Sequence, residues 1–295
     1  MAREVYAQEK PNQHRIAIVI PSGDVSSISD KGTTIDRYSG EARPEGHAEL
    51  ARQVVDGKPD VIVAANNAVA TAARATTDTI PIVWIGGDPV EAGFATSLAH
   101  PGGNVTGVTV FAGTESWGKR LQILKEAVPA ASKATYLTTR VSLAAEGQQL
   151  RKASRQLGIA VIELALDEVS ATAIERAFTE IVQQQSDAFL VNSNSLLFPY
   201  RQLIVGLAEK NRLPALYPWR DYVEAGGLMA YASDNRELWR RMADDVHEIL
   251  DGAKPGDIPI YQPTKFELVI NLKTAEALGL KIPPSLLARA DEVIE

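Results

Sequence analysis

The 295-residue chain contains no cysteine, which removes disulfides, Cys-ligated zinc, iron–sulfur clusters and thiol nucleophiles together. No apolar run approaches the roughly 18–20 residues that a membrane-crossing helix needs. The opening residues, Met1 to Lys10, are polar and lack an apolar h-region, so no signal peptide is read in them. Positive charge is in deficit. Thirty Lys+Arg face 37 Asp+Glu, a formal net charge of −7 whose field repels phosphate backbones, so nucleic acid is not expected as a partner. Catalytic signatures are missing as well: there is no Gly-x-Ser-x-Gly elbow, no Gly-x-x-x-x-Gly-Lys-Ser/Thr phosphate loop and no Gly-x-Gly-x-x-Gly after the first apolar run. His47-Ala48-Glu49 imitates the His-x-Glu of zinc deaminases, but the paired cysteines that such a site requires are absent. Asp244, His247 and Glu248 share one helical face and read as a solvated charged surface. No catalytic residue, metal or cofactor is expected.

The hydrophobic fraction of 45% and the charged fraction of 23% are those of a globular chain, which excludes a disordered or low-complexity protein. At about 100–200 residues per domain, the length predicts two domains. Short β-branched runs alternate with helical spacing from Arg15 onward. Strands are predicted at Ile16 to Ile20, Val61 to Ala65, Ile82 to Ile85 and Val105 to Val110, and again at Ala134 to Thr138, Ala160 to Leu166, Ala188 to Val191 and Ala215 to Tyr217. Helices fall between them, at Ala68 to Thr77, Glu115 to Ala127, Leu143 to Leu157, Ala171 to Gln185 and Tyr200 to Asn211. Near-continuous apolar strands separated by helices signal a parallel sheet covered on both faces. The expected fold is therefore α/β, with two doubly wound parallel-sheet lobes joined by a hinge: residues 14–116 with about 236–254 in lobe one, and 117–235 with about 255–295 in lobe two.

In such sheets ligands bind beyond the carboxyl ends of the strands, between lobes where there are two. The loops there are Pro21-Ser22-Gly23, Asn66-Asn67, Gly86-Gly87-Asp88-Pro89, Thr138-Thr139-Arg140, Asn192-Ser193-Asn194 and Pro218-Trp219-Arg220-Asp221. Asn66 and Asn67 precede an Ala-rich helix, where a ligand carboxylate would find backbone N–H groups and a side-chain amide; the alternative is that Asn67 only caps the helix. Arg140 and Arg220 offer charge-assisted pairs to a ligand carboxylate, or else are surface charges. Trp219, with Tyr217, offers cover for an apolar or aromatic body. A buried ammonium would need a carboxylate, for which Asp88 and Asp221 are the candidates, unless Asp88 caps the turn at Pro89.

Five stretches, Asp88-Pro-Val-Glu-Ala-Gly-Phe94, His100-Pro-Gly-Gly-Asn-Val-Thr-Gly107, Lys119 to Pro129, Glu224-Ala-Gly-Gly-Leu-Met-Ala-Tyr231 and Gln262 to Leu272, occur in an order that closely resembles the ABC transporter substrate-binding protein family of the tryptophan- and tyrosine-uptake type. The resemblance runs from about Arg15 to the C-terminus. It implies a type I periplasmic-binding-protein fold, a ligand clamped between two lobes, delivery to a membrane permease and export to the periplasm with a signal peptide removed. Asn66-Asn67 matches the family's helix-start contact position, Asp88 an element of its motif, and Ser22 a third contact from lobe one. Two departures stand out. Only residues 21–32 separate the first strand from the extended segment Thr33 to Tyr38, barely a parallel crossover, so a normal first helix is not expected. Lobe two offers Asn192, Asn194, Trp219 and Arg220 where amino-acid-binding members offer acids.

The expected function is that of a non-enzymatic, monomeric solute-binding protein of an ABC importer, taking a small carboxylate that is either an amino acid or an aromatic or branched acid. The alternatives are the effector-sensing module of a transcription regulator, for which only 14 residues precede the first strand, and an α/β enzyme using Asp88 with Arg140 or Arg220 on a carboxylate.

Overall fold

The computed structural model describes residues 14–20, 28–30, 33–39, 46–110 and 116–295. The chain divides into two compact units, Met1–Thr109 with Arg241–Tyr261 and Val110–Arg240 with Gln262–Glu295. Each is an α/β layer structure with its own core.

In unit 1 the strands are β1 (His14–Ile20), β2 (Ile28–Asp30), β3 (Thr33–Ser39), β4 (Val61–Ala64), β5 (Ile82–Gly86) and β6 (Val105–Thr109), in the spatial order β2-β3-β1-β4-β5-β6. All pairs are parallel except β2 with β3. The described part of the short 21–32 crossover is thus an antiparallel edge strand. Helices α1 (His47–Asp56) and α2 (Asn67–Thr76) connect the strands. Val61, Ile62, Ile82, Val83 and Trp84 are fully buried, the consequence of strands covered on both faces. Tyr261 extends the β6 edge: its N–H donates to the Gly107 carbonyl and its carbonyl accepts from Thr109 N–H.

Unit 2 begins with α3 (Ser116–Ala127) and continues through β7 (Lys133–Thr139), α4 (Arg140–Leu157), β8 (Ala160–Leu166), α5 (Ala171–Gln183), β9 (Ala188–Val191), α6 (Arg201–Lys210), β10 (Ala215–Tyr217), α7 (Arg220–Glu224) and β11 (Met229–Ala232). Helix α8 (Asn235–Leu250) carries the chain into unit 1 at residues 240/241. Unit 2 resumes with β12 (Glu267–Asn271), α9 (Leu272–Ala277), α10 (Pro284–Leu287) and β13 (Glu292–Ile294). Its sheet order is β13-β12-β11-β10-β9-β7-β8, parallel except for β11 with β12. One face packs Phe178, Phe189, Tyr217 and Tyr222 under α5 to α7. The other packs Trp117, Leu121, Tyr136, Leu150 and Leu190, with α3 and α4 supplying the cover.

The expected strands and helices fall on these elements with ends displaced by one to three residues, the normal uncertainty of boundaries. Asp244, His247 and Glu248 are exposed on α8 as the sequence suggested, but their neighbour Asp245 is buried. Burial, with Glu248 and Asp244 adding negative charge, pushes the Asp245 carboxyl up to about 7, and its Oδ2 has no partner.

A Cβ at Gly107 would lie 2.0 Å from the Trp84 carbonyl oxygen, at φ +131°, so Gly107→Ala must push β6 off β5; in contrast Gly158, at φ +64° in the αL cap of α4, has open space around it. Chemical denaturation is expected to show a loss above about 3 kcal/mol for G107A and near 1 kcal/mol for G158A. The folded state holds the Asp245 proton at pH values where the unfolded chain has released it, so stability falls as pH rises from about 4 to about 7, by up to about 1.4 kcal/mol per pH unit. Asp245→Asn is expected to flatten that slope and to be the more stable protein at pH 7.5; equal slopes for both proteins would refute the assignment.

Candidate functional site

The polar loops at the carboxyl ends of the strands are organised separately in the two units. In unit 1, Asn66 is the N-cap of α2, its Oδ1 accepting from Val69 N–H at 2.8 Å. Asn67, the first helical residue, has another task. Its Oδ1 accepts from the Trp84 indole Nε1 at 3.0 Å and from Gly87 N–H at 3.1 Å, tying the α2 start to the loop after β5. A Cβ at position 86 would lie 2.0 Å from Asn67 Oδ1 and 2.5 Å from Trp84 Nε1, so a side chain there would have to displace this bridge. Asp88 Oδ1 accepts from Val90 and Glu91 N–H at 2.9 and 3.1 Å, so it holds the turn that Pro89 opens. Ser22 lies outside the described residues.

In unit 2, Thr139 caps α4 by accepting from Ser142 N–H, and Asn194 Nδ2 donates to both Thr139 Oγ1 and Ser142 Oγ, at 3.2 and 3.0 Å. Thr139 and Asn194 therefore belong to one cluster. Asn192 does not join it. Arg140 is exposed and pairs through Nε with Asp167 at 2.5 Å. Arg220 pairs with Glu224 at 2.7 Å and grips both oxygens of Glu292. Trp219 and Tyr217 are core residues, Tyr217 stacked on Tyr222 and Trp219 edge-on to Phe198. A cavity of about 330 Å³ opens beside this end of the sheet, lined by Phe198, Arg220, Asp221, Asp234, Trp239 and Glu267 among others. Asp234 Oδ1 already accepts from Arg236 N–H. Acids outnumber arginines in the lining, which also contains Glu224 and Arg236, and Arg220 is neutralised by its own carboxylates.

A second constellation in unit 2 has no counterpart among the loops picked out from the sequence. Glu146 of α4 accepts from the Tyr136 hydroxyl at 3.2 Å and from Asn192 Nδ2 at 3.3 Å, with the Trp117 indole nearby. Asn192 Nδ2 also donates to the Tyr136 hydroxyl. Arg120 of α3 stands over the Trp117 ring, 5.2 Å from its centroid, and its Nε is sealed from solvent without a partner. Burial pushes the Glu146 carboxyl up, against the Arg120 charge and the Tyr136 and Asn192 donors that hold it down. Burial likewise pushes the Tyr136 hydroxyl well up, with the Glu146 charge adding to it. For Arg120, burial lowers the guanidinium and the charge of Glu146 opposes the shift.

The sequence does contain a signal for these residues. Arg120 is three residues beyond Trp117 and four before Leu124, on the buried stripe of α3; Glu146 is three beyond Leu143 and four before Leu150, on the stripe of α4. A charge on an apolar stripe needs a partner, and each helix supplies one charge of opposite sign.

A family model described as ABC transporter substrate binding protein matches residues 23–294. The tyrosine-binding protein of Clostridioides difficile (strain R20291) is 26% identical over 268 residues, covering 88% of this chain and 76% of that protein. Among solved structures, a conserved domain protein from Vibrio cholerae superposes with a TM-score of 0.84 at 24% identity, covering 96% of this chain and 100% of that one. The ABC domain in complex with L-Trp from Streptococcus pneumonia gives 0.83 at 23% identity over 96% of this chain and 100% of that one. These two likenesses show the fold, two parallel-sheet α/β lobes of type I periplasmic-binding-protein kind.

The Asn67 bridge yields a stability prediction. Asn67→Ala leaves the buried Trp84 indole N–H and the Gly87 amide without acceptors, so denaturation should show a loss of about 2–3 kcal/mol, against about 1 kcal/mol for the cap variant Asn66→Ala. A larger loss for the cap variant would reverse this ranking.

Proposed function

The chain belongs to the ABC transporter substrate-binding protein family, and on that premise we propose that it is the extracytoplasmic solute receptor of an importer, taking a small carboxylate with an apolar or aromatic body. An amino acid is the favoured ligand class. The observation that carries the reading is the family match across 23–294, and the tyrosine-binding relative supports the ligand class. The ligand is held by carboxyl-end loops of both units, which close on it and present the loaded receptor to a membrane permease. A solute that gains contacts from the second unit only on closure shifts the equilibrium toward the closed state by that differential affinity.

The proposed contacts are the loops of Asn66, Asn67 and Asp88 in unit 1 and of Thr139, Asn192, Asn194 and Trp219 in unit 2, with Ser22 as a further contact. Arg140 and Arg220 take part only by leaving Asp167 and Glu292. Neither an enzymatic step nor a cofactor enters this reading, and the receptor acts as a monomer in the periplasm.

A melting screen of L-tryptophan, L-tyrosine and branched amino acids beside their amine-free counterparts tests the proposal. A true ligand at a hundred times its Kd should add about 2.7 kcal/mol and raise the melting temperature by several degrees. A shift confined to amine-bearing compounds would assign the amino-acid role, whereas recovery of chemically altered ligand, or no shift with any carboxylate, would overturn the receptor reading.

A further inference from the structure

Resting on the reading of the ligand as a small carboxylate, we infer that Arg120 is the residue that anchors the carboxylate in unit 2. A guanidinium carries five N–H donors in a fixed fork, and burying one without acceptors is costly. Among the described residues Arg120 has no hydrogen bond and no ion pair; its contact is with the face of Trp117. Four other arginines of unit 2 are matched, Arg140 to Asp167, Arg151 to Glu163, Arg220 to Glu292 and Arg289 to Glu126, and Arg155, Arg176 and Arg240 are exposed to solvent. Glu146 supplies a compensating field but not a contact, because its oxygens face Tyr136, Asn192 and Trp117. Two neutral donors, the Tyr136 hydroxyl and the Asn192 amide, thus occupy the glutamate in place of the arginine's N–H fork.

Arg120 as a whole is half-buried, so a solute can reach it. A carboxylate supplies what is missing, two coplanar oxygen acceptors and one negative charge, in the geometry that a guanidinium fork accepts best. Aromatic cover is present in the same place. Trp117 packs edge-on to Tyr136 at 4.8 Å, and Tyr231, within electrostatic reach of Arg120, stacks on Phe266 at 5.7 Å. An acid with an aromatic body fits this combination better than an aliphatic one. Glu146 sets a limit on affinity, since its charge opposes that of the incoming ligand.

The test compares each acid with its own amide. Titration calorimetry with L-tryptophan, L-tyrosine and their carboxamides is run on the wild type, Arg120→Met and Glu146→Gln. Arg120→Met is expected to weaken the acids by about a hundredfold or more and to change the amides little, because only the acids use the charged fork. Glu146→Gln keeps an oxygen for its donors and removes the opposing charge, so it should tighten the acids and leave the amides alone. Melting curves check both folds; Arg120→Met removes the counter-charge of the buried Glu146, so some loss of stability is expected, and the acid-against-amide difference in the folded variant is the readout. Equal loss of acid and amide in a folded Arg120→Met protein would overturn the anchor, as would an acid-selective loss in Arg140→Met or Arg220→Met instead. If Arg120→Met does not fold, unchanged acid affinity in Glu146→Gln overturns it. A wild type that binds none of the four compounds overturns the ligand class itself.

Discussion

A parallel sheet covered on both faces leaves no room for polar side chains in the body of a strand, and most of this protein's organisation follows from that exclusion. Val61, Ile62, Ile82, Trp84, Ala188 and Phe189 are buried to completion. Hydroxyls that do enter the strands find a partner, as Thr106 does in donating to the Ile258 carbonyl and Thr135 in sharing a hydrogen bond with the Ser186 hydroxyl. Chemistry is thereby confined to the strand ends, where backbone direction changes and helices begin. Asn66, Thr139, Ser170 and Asn271 each sit at such a junction and accept from the first turn of the following helix. Polar residues in these loops have a structural task before they have any other.

That double use explains why the candidate loops were easier to find than to interpret. Asn67 reads from the sequence as a helix cap or a ligand contact, yet it is a bridge to Trp84 and Gly87, a partner 20 residues away that no local pattern reveals. Arg220 reads as a free cation because its partner Glu292 lies in β13, 72 residues further along the chain. Trp219 and Tyr217 look like covers for an open site, but aromatic residues at the end of a short central strand are also the residues best able to fill the layer below α6 and α7. The strands and helices themselves were legible, since hydrophobic period is a local property. The antiparallel pairings of β2 and β12 were not, because strand direction within a sheet depends on the connection and not on the strand's own composition.

The exception to the exclusion rule is the layer between β7 and helices α3 and α4. There a tyrosine from a strand, a glutamate from one helix and an arginine from another come together within the apolar face of unit 2. Charge in such a place is not a general source of stability, because desolvation offsets most of the attraction. Glu146 has a structural task as the acceptor for the Tyr136 hydroxyl and the Asn192 amide, but Arg120 has no such task within the fold.

Geometry narrows the reason for Arg120. If the pair served only to neutralise itself, the shortest arrangement would be a direct fork between guanidinium and carboxylate, as Arg220 makes with Glu292 at the surface. Glu146 instead accepts from two uncharged donors, one of which, Asn192, begins the loop after β9. The network therefore joins a strand-end loop to a cation whose own donors are unused. On the proposed reading this separates two roles: Glu146 supplies a counter-charge near Arg120 while its oxygens are held by Tyr136 and Asn192, which leaves the guanidinium fork to the ligand.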